Sequence, residues 1–129
     1  MRVNSLTELN LHDSELIDFV MPVDDSSEVV IHLDYIDDYQ TLRTAKRSLV
    51  FSGCVKVVID ANLLVTPDSL RTGHELKNSS MLSEVKEKLT KSGFPAPDEL
   101  KHFYLETNSN ASIFNVIAES VDLRGPEDG

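Results

Sequence analysis

The chain has too few cysteines for an internal disulfide and no apolar run long enough to span a membrane. Among its 129 residues there is one cysteine, Cys54, and no tryptophan. A single cysteine excludes an internal disulfide, and its strand-like surroundings predict a buried packing residue. No apolar run approaches the roughly 20 residues of a membrane span, and the first residues lack the apolar segment of a signal peptide. We expect a cytoplasmic protein without membrane association.

The recognised catalytic and metal-binding motifs are also absent. The five glycines are scattered, which excludes a phosphate-binding glycine loop and a dinucleotide fingerprint. The pair His74-Glu75 is followed by Asn78, so the second histidine of a zinc-protease helix is missing. No metal-ligand spacing relates the histidines, which are His12, His32, His74 and His102. We therefore expect no enzymatic activity, no cofactor and no bound metal.

Basic residues are almost missing from the first third of the chain. Residues 1–40 contain ten Asp or Glu and a single basic residue, whereas residues 41–60 contain four basic residues and only Asp60 as an acid. The net charge of −10 is thus concentrated near the N-terminus, beside a small basic patch. Such a negative field repels nucleic acid and membrane surfaces and speeds encounter with a basic protein. A basic protein partner is the expectation.

The first sixty residues have a strand-like pattern. Residues 16–21 form an apolar run that ends at Pro22, and residues 28–36 alternate, with Ile31 and Leu33 on one face. The two runs predict an antiparallel hairpin in which the numbers of paired residues sum to about 49 or 50. The polar segment 37–45 is expected to be a surface loop. The longest strand signal covers residues 47–59, with a glycine in its middle, where a bulge or bend is common.

The second half of the chain changes pattern several times. Residues 66–80 are polar and are expected to form a long loop. A helix is predicted over residues 80–92, because an apolar stripe recurs at helical spacing and Gly93 follows as a cap. Strands are predicted over residues 100–107 and 111–123, joined by an Asn-Ser-Asn turn.

This order of elements predicts an α+β domain: a mostly antiparallel five-stranded sheet with one helix packed on one face. The domain is expected to span residues 1–124, with a flexible tail at 125–129. The expected core face carries Ile31, Leu33, Phe51 and Val57. The helix residues expected to cover that face are Leu82, Val85 and Leu89.

Two tyrosines stand among aspartates after the alternating strand. Aromatic side chains beside an acidic rim are typical of interfaces that accept Arg or Lys. The residues expected to bind a partner are Asp34, Tyr35, Asp37, Asp38 and Tyr39. A solvated loop with no binding role is the alternative. His12 and Asp13 are expected to bond local backbone where the chain enters its first strand.

A family resemblance rests on two short motifs. Leu11-His-Asp-Ser14 enters a strand, a hairpin follows, and Ser48-Leu-Val-Phe-Ser-Gly-Cys-Val55 comes next. This arrangement, over residues 9–60, resembles a group of small bacterial proteins that share the His-Asp-Ser start and include immunity proteins of polymorphic toxin systems. The resemblance implies a single α+β domain that binds a toxin rather than catalysing a reaction, and it implies no catalytic residues.

Three hypotheses about function follow. The first is a non-enzymatic protein-binding domain, such as an immunity protein that neutralises a basic toxin through its acidic surface. The second is an accessory or dimerisation domain, for instance a homodimer. The third is a small metal-dependent hydrolase that uses His12, Asp13, His32 or Asp34. An exposed acidic face without a convergent pocket would favour the first, and a deep cleft holding two histidines would favour the third.

Overall fold

The computed structural model describes residues 2–3, 6, 11–20, 27–38, 40–62, 68–76, 79–93 and 100–125. In chain order the strands in those residues are β1 (Arg2–Val3), β2 (Glu15–Val20), β3 (Val29–Asp38), β4 (Arg43–Ser52), β5 (Lys56–Asp60), β6 (Asp68–Leu76), β7 (Lys101–Thr107), β8 (Ile113–Ala118) and β9 (Ser120–Arg124). The helix α1 (Ser80–Lys91) lies between β6 and β7. Of the expected tail, only Gly125 is among the described residues.

The strands form one antiparallel sheet in the order β1-β9-β4-β3-β2-β6-β7-β8-β5. The predicted α+β class, with a mostly antiparallel sheet and one helix, is confirmed for the described residues. The predicted strand number is wrong, because the sheet has eight strands of five residues or more, with the two-residue β1 added at one edge. One strand, β6, was not predicted, and two of the predicted strands are each divided into two by a bend.

The missed strand is β6, which occupies the segment predicted to be a long polar loop. Its nine residues include a single fully buried apolar side chain, Leu70, so no hydrophobic alternation marks it. Gly73 lies in its middle because Leu11 packs directly above that position. A Cβ atom on Gly73 would lie 2.7 Å from Cδ1 of Leu11. β6 is therefore held by its pairing with β2 and β7 and by the cover of Leu11 over Gly73, and not by an apolar stripe of its own.

The two longest predicted strands each break into two at a shared bend. β4 and β5 are separated at Gly53, whose φ is +64°, and β8 and β9 are separated at Glu119. Because β4 pairs with β9 and β5 pairs with β8, both bent strands run side by side. Glu119 donates its backbone N–H to the carbonyl of Ser52 at 3.0 Å. The bend turns one half of the sheet over the other, as expected for a glycine inside a strand.

The hairpin of β2 and β3 has the predicted register. Leu16 pairs with Leu33 and Phe19 pairs with Ile31, so the residue numbers sum to 49 and 50 with a bulge between the two pairs. The predicted loop over residues 37–45 is wrong, since β3 continues to Asp38 and β4 begins at Arg43. The polar residues there belong to a hairpin arm that faces solvent. Residues 21–26, between the two strands, lie outside the described residues.

The main core lies between the two halves of the curled sheet. Ile31, Leu33 and Phe51 are fully buried, and Val57 packs against them, so the predicted core face is correct at these positions. The ring centroids of Phe51 and Phe103, from opposite halves, are 5.3 Å apart. The cover of this face is therefore the other half of the sheet and not the helix, contrary to the sequence-based expectation.

The helix forms where it was predicted but packs elsewhere. Ser79 caps its N-terminus by accepting a hydrogen bond from the backbone N–H of Leu82 at 3.1 Å, and Gly93 follows its last turn with φ +81°. Val85 packs on Leu100 and Ile117 in a second, smaller cluster. Ile117 alternates with core residues along β8, so the helix covers the outer face of β7 and β8. Helix position depends on long-range packing that periodicity does not encode.

A buried histidine joins the helix to this face of the sheet. His102 on β7 is 3% exposed. Its Nδ1 atom contacts the hydroxyl of the cap residue Ser79, and its Nε2 atom lies 2.7 Å from Oδ1 of Asn115 on β8. Both ring nitrogens are thus used structurally.

In the described part of the chain, no helix has the length and apolar character needed to cross a membrane.

We predict that Phe51→Ala lowers the free energy of unfolding by about 3–5 kcal/mol, because truncation of a fully buried aromatic residue leaves a cavity. Chemical denaturation at neutral pH measures the change. Val58→Ala, at a side chain that is 38% exposed, serves as the control and should cost far less. A loss below about 1 kcal/mol for Phe51→Ala would contradict the position of the core.

Candidate protein-binding surface

The outer face of β2, β3 and β4 carries most of the described acidic residues of the N-terminal third. Successive residues of a strand point to opposite faces, so Asp34 points outward while Leu33 points into the core. Asp34 lies opposite Glu15 on β2 and opposite Lys46 on β4. Pairing of the strands thus brings together charges that are far apart in the chain.

A depression of about 370 Å³ opens on this face. Three carboxylates and two aliphatic side chains contribute to it, and Leu42 at its rim is 66% exposed. We call it the acidic hollow, and its lining residues are Asp13, Glu15, Asp34, Ile36, Leu42, Thr44 and Ser69. Carboxylates beside aliphatic groups suit a long cationic side chain, whose stem is apolar and whose head is charged.

Basic residues of β4 partly neutralise the aspartates of β3. The Nζ atom of Lys46 lies 3.3 Å from Oδ1 of Asp34, and Arg43 lies opposite Asp38 in the pairing of β3 with β4. The side chain of Lys46 is 74% exposed, and exposed ion pairs of this kind contribute little to stability. Lys46 can therefore leave Asp34 at small cost when a partner supplies a better-placed cation.

Of the five residues predicted to bind a partner, the three whose side chains the structure describes do not lie on one surface. Asp34 lies in the acidic hollow. Tyr35 points to the opposite face of β3, where it packs against the core. Asp38 accepts a hydrogen bond from the backbone N–H of Gln40 at 2.9 Å, and this bond chiefly lowers the pKa of its carboxyl. The side chain of Asp37 and the whole of Tyr39 lie outside the described residues.

A second depression, of about 350 Å³, adjoins the hollow on the same face. Its lining includes His32, which contacts the carboxylate of Asp18 across the pairing of β2 with β3. Asp34, two residues along the strand from His32, pairs with Lys46 instead. The carboxylate that contacts His32 is therefore that of Asp18 and not that of Asp34, and the side chains of His32 and Asp18 are 42% and 55% exposed.

The Leu11-His-Asp-Ser14 motif forms a tight turn at the start of β2. The backbone N–H of Ser14 donates to the carbonyl of Leu11 at 3.1 Å, and Asp13 has φ +67°, as in a type II turn. Asp13 N–H donates to the Leu70 carbonyl, and Leu70 N–H donates to the Ser14 carbonyl, both at 2.8 Å. Only the bond between Ser14 and Leu11 is local, as expected at the entry to the first strand. The other two bonds, and the contact of the His12 Nδ1 atom with the carbonyl of Arg71 at 3.3 Å, join the motif to β6, which the sequence did not predict.

Ser14 is the buried centre of that turn. Its side chain is fully buried, and its hydroxyl accepts a hydrogen bond from the backbone N–H of Ile36 on β3 at 3.2 Å. Nδ2 of Asn108 donates to Oδ1 of Asp13 at 3.2 Å. The motif thus joins β2 to β3, β6 and the turn after β7, and it places Asp13 in the acidic hollow.

Asp68 was not singled out in the sequence, yet it organises the neighbouring turn. It is 9% exposed, and its carboxylate accepts backbone N–H bonds from Ser69 at 2.8 Å, Ser109 at 3.2 Å and Asn110 at 2.9 Å. Burial acts to raise its pKa, but the hydrogen bonds together hold the pKa below its ordinary value. Nothing in the local sequence distinguishes it from an exposed strand-end aspartate.

The other groups that could carry chemistry are spread apart. Within the ranges that the structure describes, no three His, Cys, Asp or Glu side chains form a group that could hold a metal ion. Cys54 packs against the core, and burial raises the pKa of its thiol. The thiol therefore stays protonated at neutral pH, which disfavours nucleophilic chemistry.

Comparison with known proteins finds no family model that matches the chain and no curated protein that resembles it.

We predict that Asp68→Asn costs about 1–3 kcal/mol at pH 7, because it weakens bonds to buried backbone N–H groups. A depressed native pKa contributes stability above the unfolded-state pKa of about 3.9, and this stability is lost as the pH falls through the native value. The wild type should therefore lose stability below about pH 4, and the variant should lack this component. Urea denaturation from pH 2 to pH 7 measures both. Glu84→Gln, at an exposed helix position, is the control.

Proposed function

We propose that this protein is a non-enzymatic binding domain that uses the acidic hollow to hold a basic segment of another protein. The observation that carries the proposal is the hollow itself, which opens on an exposed sheet face and has Asp13, Glu15 and Asp34, but no histidine, among its lining residues. Three carboxylates with one nearby lysine leave a net negative site on an exposed sheet face. An incoming Arg would satisfy carboxylate oxygens in the bidentate geometry that guanidinium groups favour.

The size of the hollow limits what it can hold. A volume of about 370 Å³ suits one long side chain and not a whole recognition element. A stable protein interface covers about 800 Å² on each partner, so the surrounding sheet face must contribute. Ile17 and Val20 on β2 are 43% and 40% exposed and supply apolar area beside the charges. An apolar surface with a charged anchor point is a common composition for a protein interface.

The charge of the whole molecule supports the same kind of partner. The net charge of −10 arises largely in the segment that builds β2 and β3. A negative field of this kind raises the rate of encounter with a positively charged protein and makes that rate sensitive to salt. It also disfavours direct binding to nucleic acid, whose phosphates carry the same sign.

A basic toxin, such as a nuclease, is the partner class that we infer. Nucleases need positive surfaces to bind phosphate backbones, and an acidic protein can occupy such a surface. The His-Asp-Ser start, from which the sequence predicts a likeness to toxin immunity proteins, points to the same class, although no family model and no curated protein matches the chain. The motif that carries the resemblance contributes Asp13 to the hollow. A neighbouring reading frame that encodes a secreted toxin would be the genomic counterpart of this proposal.

The proposal predicts that neutralising the hollow weakens binding of a cationic peptide. Glu15→Gln combined with Asp34→Asn should lower the affinity for a hexa-arginine peptide roughly 5- to 10-fold at low salt, because each exposed charge contact contributes up to about 1 kcal/mol. Fluorescence anisotropy of the labelled peptide measures the affinity. Thermal stability should change little, since both side chains lie on the surface of the sheet.

The matched control is Glu84→Gln combined with Glu87→Gln. It changes the net charge equally but lies on α1, on the outer face of the other half of the sheet. The control should retain most of the wild-type affinity. Equal weakening in both double variants would show that the peptide responds to net charge alone, and the hollow would then have no specific role.

A further inference from the structure

The sheet has two unlike edges. At one end of the strand order lies β1, which is only two residues long. At the other end lies β5, whose five residues pair only with β8 among the described residues. A short edge strand offers little to a foreign strand, whereas a longer one presents a row of unpaired backbone N–H and C=O groups. β5 is thus the edge that can add a strand.

The side chains of this edge are apolar where protective charges would be expected. Val58 and Ile59 are 38% and 39% exposed, and Val55 just before the strand is 42% exposed. Natural edge strands are usually blunted by charged residues along their length. In β5 the charges stand only at the two ends, as Lys56 and Asp60. Neither has a side-chain partner among the residues that the structure describes.

The sequence of β5, Lys-Val-Val-Ile-Asp, is complementary to itself in antiparallel orientation. When two copies pair about a two-fold axis through Val58, Lys56 of each copy lies opposite Asp60 of the other. Val57 then faces Ile59 of the second copy, and the two Val58 side chains face each other. Opposite charges and β-branched pairs are the cross-strand neighbours that stabilise antiparallel sheets. Every position of the strand thus meets a favourable partner.

The charges also select against other ways of adding a copy. A parallel in-register pair would place Lys56 opposite Lys56 and Asp60 opposite Asp60, which is unfavourable. A two-fold pair uses the β5 edges of both copies at once, so it closes and leaves only the two-residue β1 edge of each copy. The two end charges of β5 therefore specify a closed antiparallel pair instead of an open stack.

We propose that two copies of this protein associate through β5, so that their sheets continue across a two-fold axis. A five-residue edge buries less area than the roughly 1,200 Å² of a stable interface. We therefore expect a weak dimer whose population depends on concentration. None of the residues that line the acidic hollow lies on β5 or β8, so each copy keeps its hollow. The association is independent of the proposed binding function.

Charge reversal at the ends of β5 tests the pairing. In Lys56→Asp the dimer would place Asp opposite Asp60, and in Asp60→Lys it would place Lys56 opposite Lys. Sedimentation equilibrium should show dimerisation weakened roughly ten-fold or more in each, since both cross-axis pairs change from attractive to repulsive. The double variant, Lys56→Asp with Asp60→Lys, restores opposite charges and should dimerise like the wild type. An equimolar mixture of the two single variants should form a heterodimer.

An intermolecular disulfide can detect the dimer even if the association is too weak for sedimentation equilibrium. In a Cys54→Ser background, Val58→Cys should form an intermolecular disulfide on mild oxidation, because residues on the axis of an antiparallel pair have Cα atoms about 4.5–5.5 Å apart. Glu84→Cys in the same background is the control and should crosslink much more slowly. Circular dichroism confirms that each variant is folded.

Two results would overturn the proposal. The first is a wild-type chain that stays monomeric at every concentration and a Val58→Cys variant that crosslinks no faster than the control. The second is a dimer that neither single charge reversal weakens, which would place the contact on another surface.

Discussion

The structure depends on one shared bend in two long strands. At Gly53 and Glu119 the paired strands turn together, and their hydrogen bonds continue on both sides of the turn. The bend lays one half of the sheet on the other, so Phe51 and Phe103 meet in a single core. Gly53 suits this corner because its φ of +64° is costly for residues with a Cβ atom. Without the bend, the apolar inner faces would have no cover.

The same bend decides where functional surfaces can lie. Since the inner faces pack on each other, the two outer faces of the sheet point away from each other. They differ in what covers them. The outer face of β7 and β8 is covered by α1 through Val85 and Ile117. Among the residues that the structure describes, no helix lies on the outer face of β2 and β3, which carries the acidic hollow. The strand after the bend, β5, becomes an edge of the sheet. The positions of the acidic hollow, of α1 and of the β5 edge therefore follow from the shared bend.

Local signals in the sequence predicted local structure well. The β2–β3 register followed from alternation, and the helix followed from its apolar stripe and Gly93, because these patterns depend on near neighbours. β6 was missed because Leu11 covers Gly73 from another segment. The helix was predicted to cover Phe51, and this was wrong because the curling of the sheet depends on strand pairing between residues far apart in the chain. Asp34 lines the hollow and is also among the residues predicted from their acidic surroundings to bind a partner, which stays a prediction. Glu15 and Leu42 join it only through strand pairing, and Asp68 gave no sequence signal.

The proposed function requires that the acidic hollow binds a cationic side chain specifically. The most direct measurement is a map of backbone amide shifts in a solution NMR titration of the wild-type protein with hexa-arginine at low salt. We expect saturable shifts centred on Glu15, Asp34, Leu42 and Thr44, with α1 unaffected. Shifts that spread evenly over all exposed acidic residues, or that centre on Glu84 and Glu87, would contradict it.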